Sequence, residues 1–448
     1  MKLLYNYDKE YQTFEGFGAS GAWWAQEVGG WSDTRDDISR LLFSKTDGIG
    51  LRTYRYNLGA GSKESGKGNI ENPLRRTESF ETRDGDYDFT KDSNAVYMMK
   101  QAVKDGADEV ILFANSPIER LTSNGLSHCT KSWIFKENLD KKNYGEFAKY
   151  VLDVTEHFIN DGIPVKYISP INEPLWKWTG GQEGCHYRPK SAGAVMRVFA
   201  EELRKREVLS GVKLSGLENG DIRWFNKSYT ESLMKYECVR ESVDGVDLHS
   251  YFLKPVNLPF LKRTDYLRRY RKWLDKKYPD INVKISEWTH MKGGRDYGMK
   301  SALVTAETIF EDISVLNVTS WQHWIAVSEV DYCDGLIYIN LSDKSFETTK
   351  RYYATGNFSK FIPYGAVRFE ADTNDKALKT LGFKKVGEVI IVTINTSNTD
   401  VQLTLPEKNA VQYVTDKTDD LKEYKIGNGI ADIRAKSVNT IIFRGNRI

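Results

Sequence analysis

Two glutamates are candidate catalytic residues. Each ends a short run of β-branched and aromatic residues that is typical of a buried strand. Glu173 lies near the end of VKYISPINEP (residues 165–174), and Glu287 lies in VKISEWTH (residues 283–290). Strands usually end in Gly, Asn or Asp turn residues, and either glutamate alone would be read as a solvated loop residue. Two carboxylates facing each other across a pocket, however, can cleave a glycosidic bond, since one protonates the leaving oxygen while the other attacks the anomeric carbon.

Composition narrows the class of ligand. The chain has 448 residues, 40% of them hydrophobic, which suits one large domain plus a smaller one. Its 11 Trp and 25 Tyr favour a carbohydrate substrate, because aromatic rings stack on the apolar faces of sugars. Lys and Arg total 64 against 62 Asp and Glu, and no basic run occurs, so neither nucleic acid nor a membrane is an expected partner. The oligomeric state is left open.

The N-terminal residues and the cysteines bear on location and cofactors. Residues 1–14 lack the apolar segment of a secretory signal, and no apolar run approaches the ~20 residues of a membrane span. We therefore expect a cytoplasmic protein, or a secreted one if a leader has been removed. Four cysteines without CxxC spacing argue against a metal site, and no cofactor is expected. We expect reduced thiols, although a bridge between Cys129 and Cys185 stays open for a secreted protein.

Strand-like and helix-like patterns alternate along the chain, as in βα units around a parallel sheet. Amphipathic helical runs lie at residues 144–160, 191–207 and 301–316. Eight strands are predicted, at residues 14–21, 50–58, 109–117, 165–174, 213–219, 246–252, 283–290 and 318–327. Eight such units predict an α/β fold of the (β/α)8 TIM-barrel type, whose active site lies at the C-terminal ends of the strands.

Beyond residue 360 the pattern changes to short strands separated by turn-rich pieces. The strands are predicted at residues 386–396, 401–405, 411–415 and 440–443, without helical runs between them. Residues 3–14 also alternate like a strand and could join them. We expect a catalytic barrel over residues 14–358, and a small antiparallel β-sandwich, formed by residues 1–13 and 359–448, packed against it.

Polar and aromatic residues at the first four strand ends could bind the substrate. Trp23 and Trp24 offer flat walls beyond the first strand, unless they cover the barrel mouth as core. Arg55 on the second strand would bring a cation to a carboxylate and keep it ionised, unless it serves a structural ion pair. Asn115 on the third strand can donate to sugar hydroxyls, and Asn172 directly precedes the first glutamate.

The later strands and one loop add further candidates. Trp178 lies in an aromatic and glycine-rich loop, LWKWTGGQEGCHY, which suits a sugar platform. The sixth strand brings His249 and Tyr251, and the Tyr251 hydroxyl can bond a carboxylate on the seventh strand. A lone histidine on a barrel strand is more often a satisfied core residue. The eighth strand supplies Trp321, which would form the floor of the innermost sugar subsite.

Together these segments resemble glycoside hydrolase family 30 of clan A, the family of glucosylceramidases, glucuronoxylanases and β-1,6-galactanases. NEP alone is a weak signal, but in register with the other motifs it is strong. GGQEGCHY is most similar to the β-1,6-galactanase branch. The matching stretches are FEGFGASGAWWA, RYNLGAG, NSP with TSNG, PINEP, GGQEGCHY, HSY, ISEW and KRYYATGNFSKFI.

The resemblance implies a retaining β-glycosidase in which Glu173 is the acid/base and Glu287 the nucleophile. Their carboxylates are expected roughly 5 to 5.5 Å apart. Near Arg55 and Tyr251 we expect Glu287 to favour its ionised form. The remaining implied roles are binding of the sugar 2-hydroxyl by Asn172, support of Glu287 by Tyr251 and Arg55, and lining of the scission-point subsite by Trp321.

One departure bears on specificity. After NSP the family commonly places aromatic residues, whereas this chain has Ile118, Glu119 and Arg120, which remove a stacking wall and indicate a polar, closed subsite. We expect action on β-1,6-galactan or its oligosaccharides, releasing small units from one end. A β-glucosidase, a β-xylosidase or a xylanase of the same family is the alternative.

Two other classes of protein are alternatives to a glycosidase. A non-catalytic carbohydrate-binding relative would lose one of the carboxylates, and both are present. A metal-dependent barrel enzyme would need Asp, Glu and His clusters at successive strand ends, or a Lys on a barrel strand, whereas these strand ends carry mostly amides, hydroxyls and aromatics.

Overall fold

The structure, a computed structural model, describes residues 1–65, 70–82, 84–131, 136–223, 225–252, 262–375 and 377–444. Its strands are β1 (Leu3–Phe14), β2 (Gly16–Ser20), β3 (Thr53–Leu58), β4 (Glu109–Ala114), β5 (Val165–Ser169), β6 (Lys213–Leu214), β7 (Gly245–His249), β8 (Asn282–Trp288), β9 (Ser320–His323), β10 (Val327–Ser328), β11 (Ile337–Asn340), β12 (Ser345–Thr348), β13 (Ala366–Thr373), β14 (Leu378–Lys385), β15 (Glu388–Asn395), β16 (Val401–Thr404), β17 (Ala410–Thr415), β18 (Lys422–Ile426), β19 (Ile430–Ile433) and β20 (Ser437–Arg444). Its α-helices are α1 (Trp24–Val28), α2 (Arg35–Phe43), α3 (Ser93–Asp105), α4 (Tyr144–Asn160), α5 (Pro189–Leu203), α6 (Asn226–Leu233), α7 (Glu237–Ser242), α8 (Arg263–Lys277), α9 (Met299–Val315) and α10 (Lys350–Ser359).

Eight strands form one parallel sheet, in the order β6-β5-β4-β3-β2-β9-β8-β7. Its two edge strands are joined by isolated parallel bridges, Leu214 with Val243 and Asn219 with Leu248, so the sheet closes on itself. Each of the eight predicted strands corresponds to one strand of this sheet. The predicted (β/α)8 barrel is therefore confirmed.

Local sequence explains the barrel elements. All six residues of β4 are buried, as expected for a parallel strand covered on both faces. Helix α4 has the predicted bounds, and the residues of its predicted apolar face are buried, among them Phe147 and Phe158. Helix α5 begins at Pro189, where the missing N–H would be unsatisfied in any case.

Several predicted barrel strands are too long, two of them by five residues at the C-terminal end. β5 ends at Ser169 and β6 at Leu214, well before the predicted ends at residues 174 and 219. The chain then leaves the sheet, and Glu173 and Glu218 adopt φ values of 45° and 21°, which a strand cannot accommodate. Each strand is thus followed by a sharply turned segment that carries a glutamate.

The C-terminal part forms the predicted antiparallel sandwich. A seven-stranded sheet has the order β1-β13-β14-β15-β20-β17-β18, and β16 pairs with β19 in a second sheet. β1 pairs with β13, so the first strand joins this sheet as predicted. The prediction missed β13, β14, β18 and β19. In β14 a glycine interrupts the apolar pattern, and a Cβ on Gly382 would lie 2.6 Å from Phe369 Cζ, so the glycine makes room for that ring.

The chain divides into two compact units. One contains Met1–Gly18, Arg40–Arg52 and Thr289–Ile448, and the other contains Ala19–Ser39 and Thr53–Trp288. The domain boundaries drawn from the sequence stay a prediction. Among the described residues no helix is both long and apolar enough to cross a membrane.

Candidate active site

Glu173 and Glu287 lie close together, just beyond β5 and at the end of β8. One oxygen of each carboxylate and a ring nitrogen of His249 all lie within 4.8 Å of one another. His249 Nδ1 is 2.9 Å from Glu173 Oε1 and 3.3 Å from Glu287 Oε1. All three side chains are buried. His249 therefore bridges the two carboxylates, although a lone histidine on a barrel strand is more often a core residue.

The backbone around Glu173 fixes the direction of its side chain. The Glu173 N–H donates to the carbonyl of Glu218 at 3.0 Å, which joins the segments that follow β5 and β6. Gly220 packs directly against the carboxylate, since a Cβ there would lie 2.6 Å from Glu173 Oε1. The same Cβ would lie 2.4 Å from Trp176 Nε1, so no other residue type fits at position 220 without moving both side chains.

Glu287 is held by the two groups that the sequence resemblance implied. Arg55 Nη1 donates to Glu287 Oε2 at 2.9 Å, and the Tyr251 hydroxyl donates to Oε1 at 3.0 Å. Arg55 is fully buried, with its Cζ 3.6 Å from the centroid of the Phe113 ring. Burial and the nearby Glu287 carboxylate raise the pKa of Tyr251 well above its ordinary value, so the hydroxyl keeps the proton that it donates.

A third carboxylate, Glu218, was missed by sequence reasoning. Arg55 Nη2 donates to Glu218 Oε2 at 2.7 Å, and His249 Nε2 lies 3.8 Å from the same oxygen. The Glu218 side chain is fully buried. It lies near the end of the fifth predicted strand, in the sequence SGLENG, so the rule that singled out Glu173 would have found it too.

Burial and mutual contacts set the protonation states of this cluster. Burial alone would raise the pKa of Glu218, but Arg55 and His249 outweigh it and lower the pKa to about 2. Burial alone would lower the pKa of His249, but Glu287 and hydrogen bonds to Glu173 and Glu218 raise it to about 10. At neutral pH, Glu218 is therefore ionised and His249 carries a proton.

Arg55 lowers the pKa of Glu287 and so favours its ionised form, as expected, but the net change in this pKa is upward. Burial raises the pKa of Glu287, and the opposing effects of His249 and Arg55 are smaller. Three carboxylates face only two cations in the cluster, so one further proton makes it neutral. The same geometry could also attract a divalent cation, but His249 would first have to give up the proton that bridges the carboxylates.

A chain of side-chain amides leads away from the cluster. Arg55 Nη2 donates to Asn172 Oδ1 at 3.0 Å, Asn172 Nδ2 to Asn115 Oδ1 at 2.9 Å, and Asn115 Nδ2 to Asn57 Oδ1 at 2.9 Å. A guanidinium offers donors only, so it sets the orientation of each amide in turn. Asn57 was not anticipated from the sequence, and its Nδ2 has no hydrogen-bond partner within the described ranges.

The predicted aromatic walls differ in their burial. Trp178 is half-buried, and Gly184 packs against it, because a Cβ there would lie 2.2 Å from Trp178 Cδ1. Trp23 is buried, with the Arg75 guanidinium 5.0 Å from its ring centroid. Trp24 is buried and donates from Nε1 to the Ser20 carbonyl at 2.9 Å, as a core residue would. Substrate binding by all three stays a prediction.

Two further predictions concern residues outside the cluster. Trp321 belongs to the other compact unit, where it is fully buried and donates from Nε1 to Asp312 Oδ2 at 3.0 Å. Its place at the scission point stays a prediction. All four cysteines are free thiols, including Cys129 and Cys185.

A closed barrel of eight parallel strands with two neighbouring glutamates at its carboxyl end is the arrangement of a barrel-type glycoside hydrolase. The sequence model of O-Glycosyl hydrolase family 30 matches residues 1–338, and the chain belongs to this family. It is therefore a glycosidase. An endo-beta-1,6-galactanase of Hypocrea rufa is 27% identical over 419 residues, which cover 86% of this chain and 78% of that protein.

Solved structures share the fold over almost the whole chain. A conserved exported protein from Bacteroides fragilis superimposes with a TM-score of 0.88 at 24% identity, covering 99% of this chain and 100% of that one. The catalytic domain of a family 30 xylanase C from Talaromyces cellulolyticus gives a TM-score of 0.76 at 18% identity, with the same coverage of 99% and 100%. These likenesses show the fold of the chain.

Proposed function

We propose that this glycosidase hydrolyses β-1,6-linked galactan or its oligosaccharides, with retention of configuration at the anomeric carbon. The observation that carries the mechanism is the approach of the Glu173 and Glu287 oxygens to within 4.8 Å. Inverting enzymes separate their carboxyl groups by roughly 6.5 to 9.5 Å to admit a water molecule, whereas retaining enzymes bring them closer.

In the first step, a Glu287 oxygen attacks the anomeric carbon and the bond from that carbon to the leaving oxygen breaks. Glu173 gives its proton to the leaving oxygen, and a glycosyl ester of Glu287 remains. In the second step, Glu173 takes a proton from water as the water oxygen attacks the anomeric carbon, which releases the sugar and restores Glu287. Arg55 and Tyr251 hold Glu287 in place for both steps.

The charge count of the cluster is that of one protonated and one ionised glutamate beside Glu218. With Arg55 and His249 positive and Glu218 ionised, one further proton makes the cluster neutral. Retention requires one protonated acid and one ionised nucleophile at the start of the reaction, which is the same proton count. Substrate protonation by Glu173 then leaves a charge that His249, 2.9 Å away, balances.

Support for galactan as the substrate comes from the Hypocrea rufa relative and from one sequence motif. The relative that covers 86% of this chain is described as an endo-beta-1,6-galactanase, and GGQEGCHY resembles that branch.

The residues after β4 bear on how the substrate is cleaved. Ile118, Glu119 and Arg120 provide no flat stacking surface, and Arg120 donates twice to Glu81. Directed hydrogen bonds suit short chains better than a sliding polymer, so we propose release of small units from one end.

The test is hydrolysis of a panel of aryl β-glycosides, β-1,6-galactan, xylan and β-glucan, with the product anomer followed by proton NMR. We expect galactan products whose first-formed anomer is β. An α first-formed anomer would refute retention. Activity confined to xylan or glucan would refute the galactan assignment while leaving the mechanism intact. A ladder of intermediate lengths at early times would show internal cleavage instead of release from one end.

A further inference from the structure

A cavity of about 610 Å³ lies at the carboxyl ends of β3 and β4. Ala60 and Gly61, which follow β3, and Ile118, which follows β4, form part of its lining. Ala60 and Ile118 are each three residues beyond an asparagine of the amide chain, Asn57 and Asn115. The cavity is therefore lined by the loops that follow the two strands at whose ends these asparagines lie. Cavities of roughly 300 to 1,000 Å³ accommodate drug-sized ligands, so there is room for a monosaccharide unit.

One wall of this cavity is fixed by a buried carboxylate that the proposed mechanism does not use. Glu183 accepts hydrogen bonds from the N–H of Ala60 at 3.1 Å, the N–H of Ser62 at 3.2 Å and the hydroxyl of Thr77 at 2.7 Å. Glu183 lies on the loop after β5, the loop that also carries Trp178, whereas Ala60 and Ser62 lie on the loop after β3. The side chain is fully buried. Glu183 thus ties together the loops of two barrel strands.

The lining groups match the hydrogen bonding of a neutral sugar. Lys91 Nζ donates to Glu64 Oε1 at 2.8 Å, and Arg120 Nη2 donates to Glu81 Oε2 at 2.9 Å. Each of these cations is thus already paired with a carboxylate of the same cavity, so an anionic ligand has no uncompensated charge to bind. Fixed ion pairs still offer both donors and acceptors, which sugar hydroxyls require. The buried Ile118 adds an apolar contact for the C–H face of a ring.

We propose that this cavity is a second sugar subsite that binds an uncharged monosaccharide unit of the substrate, and that Glu183 is the positioning residue that holds its wall. The inference rests on the proposed hydrolysis of β-1,6-linked galactan or its oligosaccharides. It adds that the enzyme recognises at least one sugar beyond the unit attacked by Glu287.

The experiment compares Glu183→Gln with the unchanged protein on two substrates. One is 4-nitrophenyl β-galactoside, which has a single sugar unit, and the other is a linear β-1,6-galactotetraose. The Gln amide replaces one acceptor oxygen with a donor, so at least one of the three hydrogen bonds is lost. We expect KM for the tetraose to rise about tenfold, the effect of one lost hydrogen bond, with kcat and the nitrophenyl kinetics changed less than about twofold.

A control variant and a second test variant accompany this comparison. Glu201→Gln removes a carboxylate whose side chain is 46% exposed on α5, and it should leave both substrates unaffected. Thr77→Val removes one hydroxyl donor to Glu183 and should also raise KM for the tetraose. This second variant keeps the test available if Glu183→Gln does not fold. Equal losses on both substrates, or no loss on either, would overturn the proposal.

A crystal soak tests directly, and independently of turnover, whether a sugar binds in the cavity. Crystals of Glu173→Gln soaked with galactan, xylan and glucan oligosaccharides should show a sugar ring between Ile118 and Arg120. Rings bound only outside the cavity would overturn the subsite even if the enzyme cleaves galactan. Absence of activity on every glycoside would refute the proposed function, whereas a ring in the cavity would still support the subsite.

Discussion

Replacing Glu218 with Gln tests the charge balance of the carboxylate cluster. The substitution keeps the size of the side chain but removes the negative charge of one of the three carboxylates around Arg55 and His249. We expect two separable effects, a loss of stability that depends on pH and a displacement of the acidic limb of the activity profile.

The magnitude of the stability effect follows from the pKa of Glu218. A folded-state pKa of about 2 against an ordinary 4.5 corresponds to about 3 kcal/mol of stabilisation of the buried carboxylate. The folded-state value is the lower one, so this stabilisation is present above pH 4.5 and is lost as the pH falls towards 2. Each pH unit in that interval removes about 1.4 kcal/mol. Glu218→Gln should therefore cost about 3 kcal/mol at pH 7 and about 1 kcal/mol at pH 3.

The catalytic effect follows from the pKa of Glu287. Burial is the main cause of its raised pKa, and the charge of Glu218 adds to it. Without that charge the pKa of Glu287 falls, so the acidic limb of kcat/KM should move to lower pH.

Guanidinium unfolding at pH 7 and pH 3, and kcat/KM for an aryl β-galactoside between pH 3 and 8, measure the two effects. Glu201→Gln serves as the matched control with an exposed carboxylate. A stability loss of equal size at both pH values, or an acidic limb that does not move, would refute the reasoning from buried charge.

Four other substitutions probe the same site. Glu287→Gln should lower kcat about 10⁴-fold on every substrate, and residual turnover of activated aryl glycosides near the normal rate would contradict its role as nucleophile. Glu173→Gln should lower turnover of unactivated oligosaccharides by about 10² to 10⁴ while sparing aryl glycosides with acidic leaving groups, and equal losses would contradict the acid/base role. His249→Gln removes a positive charge, so the acidic limb should move to higher pH, opposite to the effect of Glu218→Gln. Gly220→Ala would place a Cβ against Glu173 Oε1, and kcat should fall while the guanidinium midpoint changes little.

The sequence by itself determined the features that depend on local periodicity. Alternating strand and helix patterns predicted all eight barrel strands, and helix α4 was placed within its observed bounds. The same patterns placed Glu173 and Glu287 at strand ends, where parallel strands bring distant residues to one edge. These predictions succeed because each depends on neighbours within a few residues of one another.

The tertiary structure alone decided what depends on contacts between distant segments. Asn57 and Glu218 gained their significance from Asn115 and Arg55, which are far away along the chain. Strand β14 was missed because its Gly382 is explained only by the Phe369 ring on the neighbouring strand. The sign of the pKa change at Glu287 depends on how deeply the carboxylate is buried, and burial is set by the closed barrel, not by any local pattern.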